Sequence, residues 1–137
     1  MELKRLSEII VEFYEKLSSW EDAVVKDSGL TTAQAHTIEI VGHSGPIKMK
    51  DLAEKIGVTT GTLTVAVDRL EKKGVLLRKP HEKDRRAYLI ELTDEGERYF
   101  ALHHQFHIKM TEELVSDLDT KEVAQLAGIL EKILNKI

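Results

Sequence analysis

Apolar side chains recur at steps of three and four through most of this chain, the spacing of one helix face. Leu3, Leu6, Ile10, Phe13, Leu17, Trp20 and Val24 predict a first helix over residues 3–26, ended by Gly29. "LTTAQAHTIEIVGH" predicts a second, with Thr31 or Thr32 as N-cap, running to about His43, and "SGP" at 44–46 breaks it. Within "IKMKDLAEKIGVTTGTLTVAVDRLEKKGVL", Leu52, Ala53 and Ile56 form the apolar face of a short helix. Gly57 turns the chain, Thr59 or Thr60 caps a helix that faces Leu63, Val67 and Leu70 inward, and Gly74 closes it. A short helix, a glycine turn and a capped second helix make a helix-turn-helix, and the small Ala53 lets the two helices approach closely.

"VLLRKP" and "RAYLIELT" predict two strands, joined by the charged, flexible link "HEKDR". A two-stranded hairpin directly after such a helix pair is a winged helix. Thr93 then caps a helix whose Asp94, Glu95 and Glu97 suit its positive N-terminal end, and which is expected to run to Ser116. A final helix follows, capped by Asp119 or Thr120. Its Leu126, Ile129, Leu130, Ile133, Leu134 and Ile137 cover more than one narrow face. That is more apolar surface than one monomer core uses, and the excess is expected to pack on the first helix of a partner subunit. The fold class expected is mainly α with a small β-wing.

The chain has 137 residues, the size of one domain, with 42% hydrophobic and 32% charged residues. It has no apolar run of membrane-spanning length, and the first twenty residues mix charge into apolar positions, unlike a signal peptide. Cysteine is absent, which excludes disulfides, thiolate metal sites and thiol redox sensing and suits a cytoplasmic protein. The net charge of −4 argues at first against nucleic acid. However, the stretch from Arg69 to Arg86 holds eight basic residues and three acidic ones, a local patch able to bind phosphates.

In a helix-turn-helix the second helix enters the major groove with its N-terminal residues at the base edges. Here these are Thr59, Thr60, Thr62, Thr64 and Val65, short hydroxyl and methyl groups suited to phosphates and thymine methyls, with Arg69 as a long donor further along. Singly, such threonines are ordinary caps and surface; as a set in this turn they point to DNA. Asp68 either holds Arg69 or is solvated. In "HEKDRRAYLIEL", Asp84, Arg85 and Arg86 fall at the wing tip or on its descending side. An arginine there can enter the narrow minor groove, and a neighbouring aspartate can orient it.

"LTTAQAHTIEIV", "MKDLAEKIGVTTGTLTVAVDRLEKKGVLLRK" and "EKDRRAYLIELTDEG" together resemble the MarR family of winged-helix transcription regulators, in the right order and over almost the whole chain. The D-x-R pattern of Asp84-Arg85-Arg86, followed by L-T-x-x-G at 92–96, carries the resemblance most specifically. It implies one MarR-type domain over 1–137, with the winged helix at about 31–98 and dimerisation helices at about 1–30 and 99–137. It also implies a homodimer, expected to act as a repressor, on a pseudo-palindromic duplex DNA operator, with Arg86 as the minor-groove arginine and Asp84 as its support.

Three histidines crowd into "HHQFH". His103 and His107 are four apart and share a helix face, the spacing at which two imidazoles can hold one Zn²⁺. Alone the pair reads more readily as solvated surface. The family's zinc-sensing branch, AdcR- and ZitR-like, uses one Glu and three His, which the resemblance places at Glu21, His36, His103 and His107. That branch also has a longer histidine run and a second, cysteine-containing site, both missing here. The alternative effector is a phenolic or lipophilic small molecule in a cleft lined by Phe13, Trp20, Phe100 and Phe106, whose ordinary reading is core packing. Three imidazoles and a carboxylate would leave no open catalytic position on the metal, and neither H-E-x-x-H nor a nucleophile elbow is present, so no enzyme is expected.

Overall fold

The computed structural model describes all residues, Met1–Ile137. The elements run α1 (Leu3–Asp27), α2 (Thr32–Ser44), β1 (Ile47–Lys48), α3 (Met49–Ile56), α4 (Thr60–Lys72), β2 (Leu76–Pro80), β3 (Tyr88–Leu92), α5 (Asp94–Leu114) and α6 (Thr120–Leu134). No helix is long and apolar enough to cross a membrane. The chain divides into two compact units, Met1–Ala101 and Leu102–Ile137.

The caps decide between the alternatives left open by sequence. Thr31 starts α2 with a capping box: its hydroxyl accepts from the Gln34 N–H, and the Gln34 side chain accepts from the Thr31 N–H, both at 3.1 Å. Thr59 caps α4, accepting the Thr62 N–H at 3.2 Å. Asp119 starts α6 with a second capping box.

In the first unit, Leu52, Leu63, Val67, Leu70, Val75 and Ile90 are sealed from solvent at the centre of one core. The core joins α2, α3, α4 and the sheet, and Tyr99 and Phe100 of α5 pack against it. Between α3 and α4 the backbone must reverse within three residues. Gly57 does this at φ 83°, a left-handed conformation open to glycine at little cost.

The wing is a three-stranded antiparallel sheet in the order β1-β3-β2, not the two-stranded hairpin expected. β1 was missed because it is only two residues, "IK", paired as Ile47 with Ile90 and Lys48 with Leu89. Nothing in so short a segment shows a strand period. β2 and β3 pair from Leu76–Leu92 to Pro80–Tyr88, inside the expected limits.

L-T-x-x-G at 92–96 has a packing reason. Thr93 Oγ1 donates to the Gly74 carbonyl at 2.6 Å and accepts the Gly96 N–H at 3.1 Å, locking the start of α5 onto the turn that closes α4. Gly96 is buried there, and a Cβ at this position would run into the Val75 carbonyl group.

In the second unit, α5 ends at Leu114, two residues before the expected Ser116. No residue of α6 is buried. Ile129, Leu130, Ile133 and Leu134 are each 45–64% exposed, a run of apolar surface that fits dimerisation better than solvent. α1 shows the same trait at Leu3, Ile10, Phe13 and Tyr14.

Candidate nucleic-acid interface

α4, β1, the start of α3 and the wing enclose an open groove of about 540 Å³. Its walls bring together four residues expected from sequence, Thr60, Thr64, Asp84 and Arg86. They also include Arg78, expected only as one of the eight basic residues of the 69–86 patch, and Lys48, Lys50 and Tyr88, which sequence reasoning did not single out.

Thr59, the N-cap, turns its hydroxyl to Thr62 and is exposed. Thr64 is exposed, and its Oγ1 donates back to the Thr60 carbonyl at 2.7 Å. Val65 is 52% exposed, unusual for a β-branched apolar residue in a helix that buries Leu63 and Val67. Thr59, Thr62, Val65, Arg69 and Arg85 are exposed but lie outside the groove wall.

Asp68 departs from expectation. It neither holds Arg69 nor stands free in solvent: it forms a short ion pair with Arg78 of β2. Arg78 also reaches Glu71 at 2.9 Å. One guanidinium, 28% exposed, thereby ties two successive turns of α4 to the wing. An i to i+1 pair such as Asp68–Arg69 diverges on a helix surface, whereas an arginine arriving from the adjoining strand meets both carboxylates.

At the wing tip, Asp84 Oδ1 accepts the backbone N–H of Arg86 at 3.0 Å. The expected support of Arg86 by Asp84 therefore takes the form of a main-chain bond that shapes the turn. The "HEKDR" link, expected to be flexible, is held by bonds: His81 Nδ1 accepts the N–H groups of Lys83 at 3.2 Å and Asp84 at 3.1 Å. Lys79 and Glu91 pair at 2.7 Å across the strands below.

Lys48 and Lys50 were legible in one respect. They flank the N-terminus of α3, where the helix dipole disfavours cations, so they cost stability unless they meet an anion. In a helix-turn-helix the first helix crosses the DNA backbone, which is where such lysines would sit.

Of the histidines, His103 and His107 stack edge to face with ring centroids 4.5 Å apart, and both are half-buried. Glu21 on α1 is half-buried and His36 on α2 is exposed. Phe100, offered as a cleft residue, instead packs against Gly42 and lies edge-on to His43 at 5.0 Å, so it belongs to the core.

Residues 30–88 match the model of the MarR family. The chain is 31% identical over 108 residues to the HTH-type transcriptional regulator YfiV of Bacillus subtilis, spanning 77% of this chain and 68% of that protein. It is 33% identical over 109 residues to the multiple antibiotic resistance protein MarR of Salmonella typhimurium, spanning 77% and 74%. Its fold matches FabT of Streptococcus pneumoniae, solved in complex with DNA, with a TM-score of 0.89 at 24% identity over 98% of this chain and 96% of that one.

Proposed function

We propose, from the premise that this chain belongs to the MarR family of DNA-binding transcription regulators, that it is a zinc-responsive repressor acting as a homodimer. The reading of DNA rests on the groove that gathers Thr60, Thr64 and Arg86 with Lys48 and Lys50. α4 enters the major groove, with Thr60, Thr62, Thr64 and Val65 toward the bases and Thr59 and Arg69 toward phosphates. Arg86 enters the flanking minor groove, with Arg85 toward the backbone. A second subunit, joined through the exposed apolar faces of α1 and α6, supplies the other half of a pseudo-palindromic site.

The single observation behind the zinc reading is the His103–His107 pair. Two half-buried imidazoles 4.5 Å apart between centroids fit adjacent corners of a tetrahedral site. Glu21 and His36 complete the donor set by resemblance, and three imidazoles with one carboxylate suit Zn²⁺. Bound metal would supply fixed charge and cross-linking, with no chemical step. It would couple to DNA by linkage, so that DNA tightens metal binding by the same factor by which metal tightens DNA binding.

The test compares wild type with His103→Ala/His107→Ala. Zinc titration should give tight binding lost in the double variant, and zinc should raise the affinity for a duplex selected from a randomised pool in wild type alone. A double variant with full zinc response would rule out the pair as ligands. Failure of wild type to bind zinc would pass the effector role to a phenolic or lipophilic small molecule.

A further inference from the structure

We infer that His81 is a positioning residue of the wing: its Nδ1, by accepting two backbone N–H groups, sets the turn that presents Arg86. The inference rests on the proposed minor-groove role of the wing. Residues 81–87 are mostly charged, and all but His81 and Ala87 are exposed, so little apolar packing is available to order them. Their order comes instead from a closed set of bonds. His81 N donates to the Ala87 carbonyl at 3.0 Å, and Ala87 N donates to the Asp84 carbonyl at 3.1 Å. Asp84 Oδ1 accepts from Arg86 N at 3.0 Å. The remaining two bonds, from Lys83 N and Asp84 N, both end on His81 Nδ1.

An imidazole nitrogen accepts only when it carries no proton. The geometry therefore requires a neutral ring with its hydrogen on Nε2. Protonation would turn Nδ1 into a donor facing two donors, and the Asp84 turn would lose its anchor. Conditions acid enough to charge His81 should therefore loosen the wing. The opposite sign follows if His81 instead meets a DNA phosphate, because protonation would then strengthen binding.

Asparagine discriminates between these roles. Its Oδ1 stands the same number of bonds from the backbone as Nδ1 and accepts in the same way, but it does not titrate. The neighbouring charged groups are Glu82, Lys83, Asp84, Arg85 and Arg86 on the tip, Tyr88 opposite Pro80, the Lys79–Glu91 pair, and Arg78 with Asp68 and Glu71 of α4. All are common to wild type and His81→Asn, as are the other histidines. A difference between those two proteins therefore reports on the imidazole alone.

The experiment measures binding of the full-length protein to the selected duplex at about pH 8 and about pH 5.5. Wild type, His81→Asn, His81→Ala and Arg86→Ala are compared. At pH 8, His81→Ala should bind about tenfold more weakly, the scale of one or two lost hydrogen bonds, while His81→Asn stays within about twofold of wild type. On acidification wild type should lose about tenfold more affinity than His81→Asn. In the free protein, amide exchange at Lys83 and Asp84 should accelerate in His81→Ala and not in His81→Asn. Equal exchange in His81→Ala and wild type overturns the inference. So does an equal pH response of wild type and His81→Asn, or a wild type that gains affinity in acid relative to His81→Asn. If Arg86→Ala binds like wild type, the minor-groove reading fails and the positioning role fails with it for DNA, whereas the amides still report whether His81 holds the turn.

Discussion

Replacing Arg78 by alanine separates a cation that holds the protein together from cations that face DNA. Arg78 lines the groove, and by position alone it would be read as a phosphate contact. Its guanidinium is committed, however, to Asp68 and to Glu71 at 2.9 Å. The side chains of Arg78, Glu71 and Asp68 are 28%, 34% and 51% exposed. Pairs this open are screened, and each is worth about 0.5–1 kcal/mol rather than a buried-pair value. Losing both should cost about 1–2 kcal/mol, a fall in Tm of roughly 4–8 °C. The DNA signature should be small. Each phosphate neutralised by a side chain adds about 0.9 to the slope of log K against log salt. Arg86→Ala should therefore lower the slope by about 1, and Arg78→Ala by less than half of that, because two carboxylates already offset its charge. The assay is urea or thermal unfolding at fixed protein concentration, beside binding to the selected duplex from about 50 to 200 mM salt. The reasoning fails if Arg78→Ala lowers the slope as much as Arg86→Ala while leaving stability unchanged. That result would mean Arg78 abandons α4 for DNA.

Lys50→Ala should weaken binding to selected and unrelated duplexes alike and reduce the salt slope by about 1, as expected of a backbone contact; a change confined to the selected duplex would make Lys50 a base reader instead. Gly96→Ala should reverse the usual sign of its substitution. Glycine to alanine inside a helix normally gains about 1 kcal/mol. Here the added methyl meets the Val75 main chain, with Val75 C at 3.1 Å and Leu92 Cβ at 3.2 Å, and backbone cannot swing aside as a side chain can. Overpacking of this kind costs about 1–3 kcal/mol, so a net loss of up to about 2 kcal/mol is expected in urea unfolding, and a more stable variant would show that α5 can shift away from β2.

Most of the fold was legible because its signals are local. The step of three and four through Leu63, Val67 and Leu70 predicts a buried helix face, and all three are sealed in the core. Thr31, Thr59 and Asp119 announce helix starts because each hydroxyl or carboxylate can bond an N–H three residues on. What was missed depends on partners distant in sequence. β1 is a strand only because β3 lies beside it. Asp68 could not be assigned because its partner is ten residues away on another element. The interface was legible in part for the same reason. Thr60, Thr64, Asp84 and Arg86 stood out by motif, but the place of Lys48 and Tyr88 in the same wall follows from sheet pairing, which no period along the chain encodes.

A net charge of −4 on a DNA-binding protein is a paradox only if charge acts at long range. At physiological salt the field of an exposed charge decays over about 8 Å. A phosphate at the groove therefore responds to Lys48, Lys50 and Arg86, and hardly to acidic residues on distant surfaces. The pairing pattern sharpens this. Asp68 and Glu71, the carboxylates of α4 nearest the wing, are occupied by Arg78, and Glu91 on the wing by Lys79. The groove is thus cationic because Lys48, Lys50, Arg78 and Arg86 line it against the single carboxylate of Asp84, while the acids beside it on α4 and β3 are paired with Arg78 and Lys79. The excess negative charge elsewhere then has a use: faces other than the groove repel a polyanion, so that non-specific encounters are disfavoured while the approach through α4 and the wing is not.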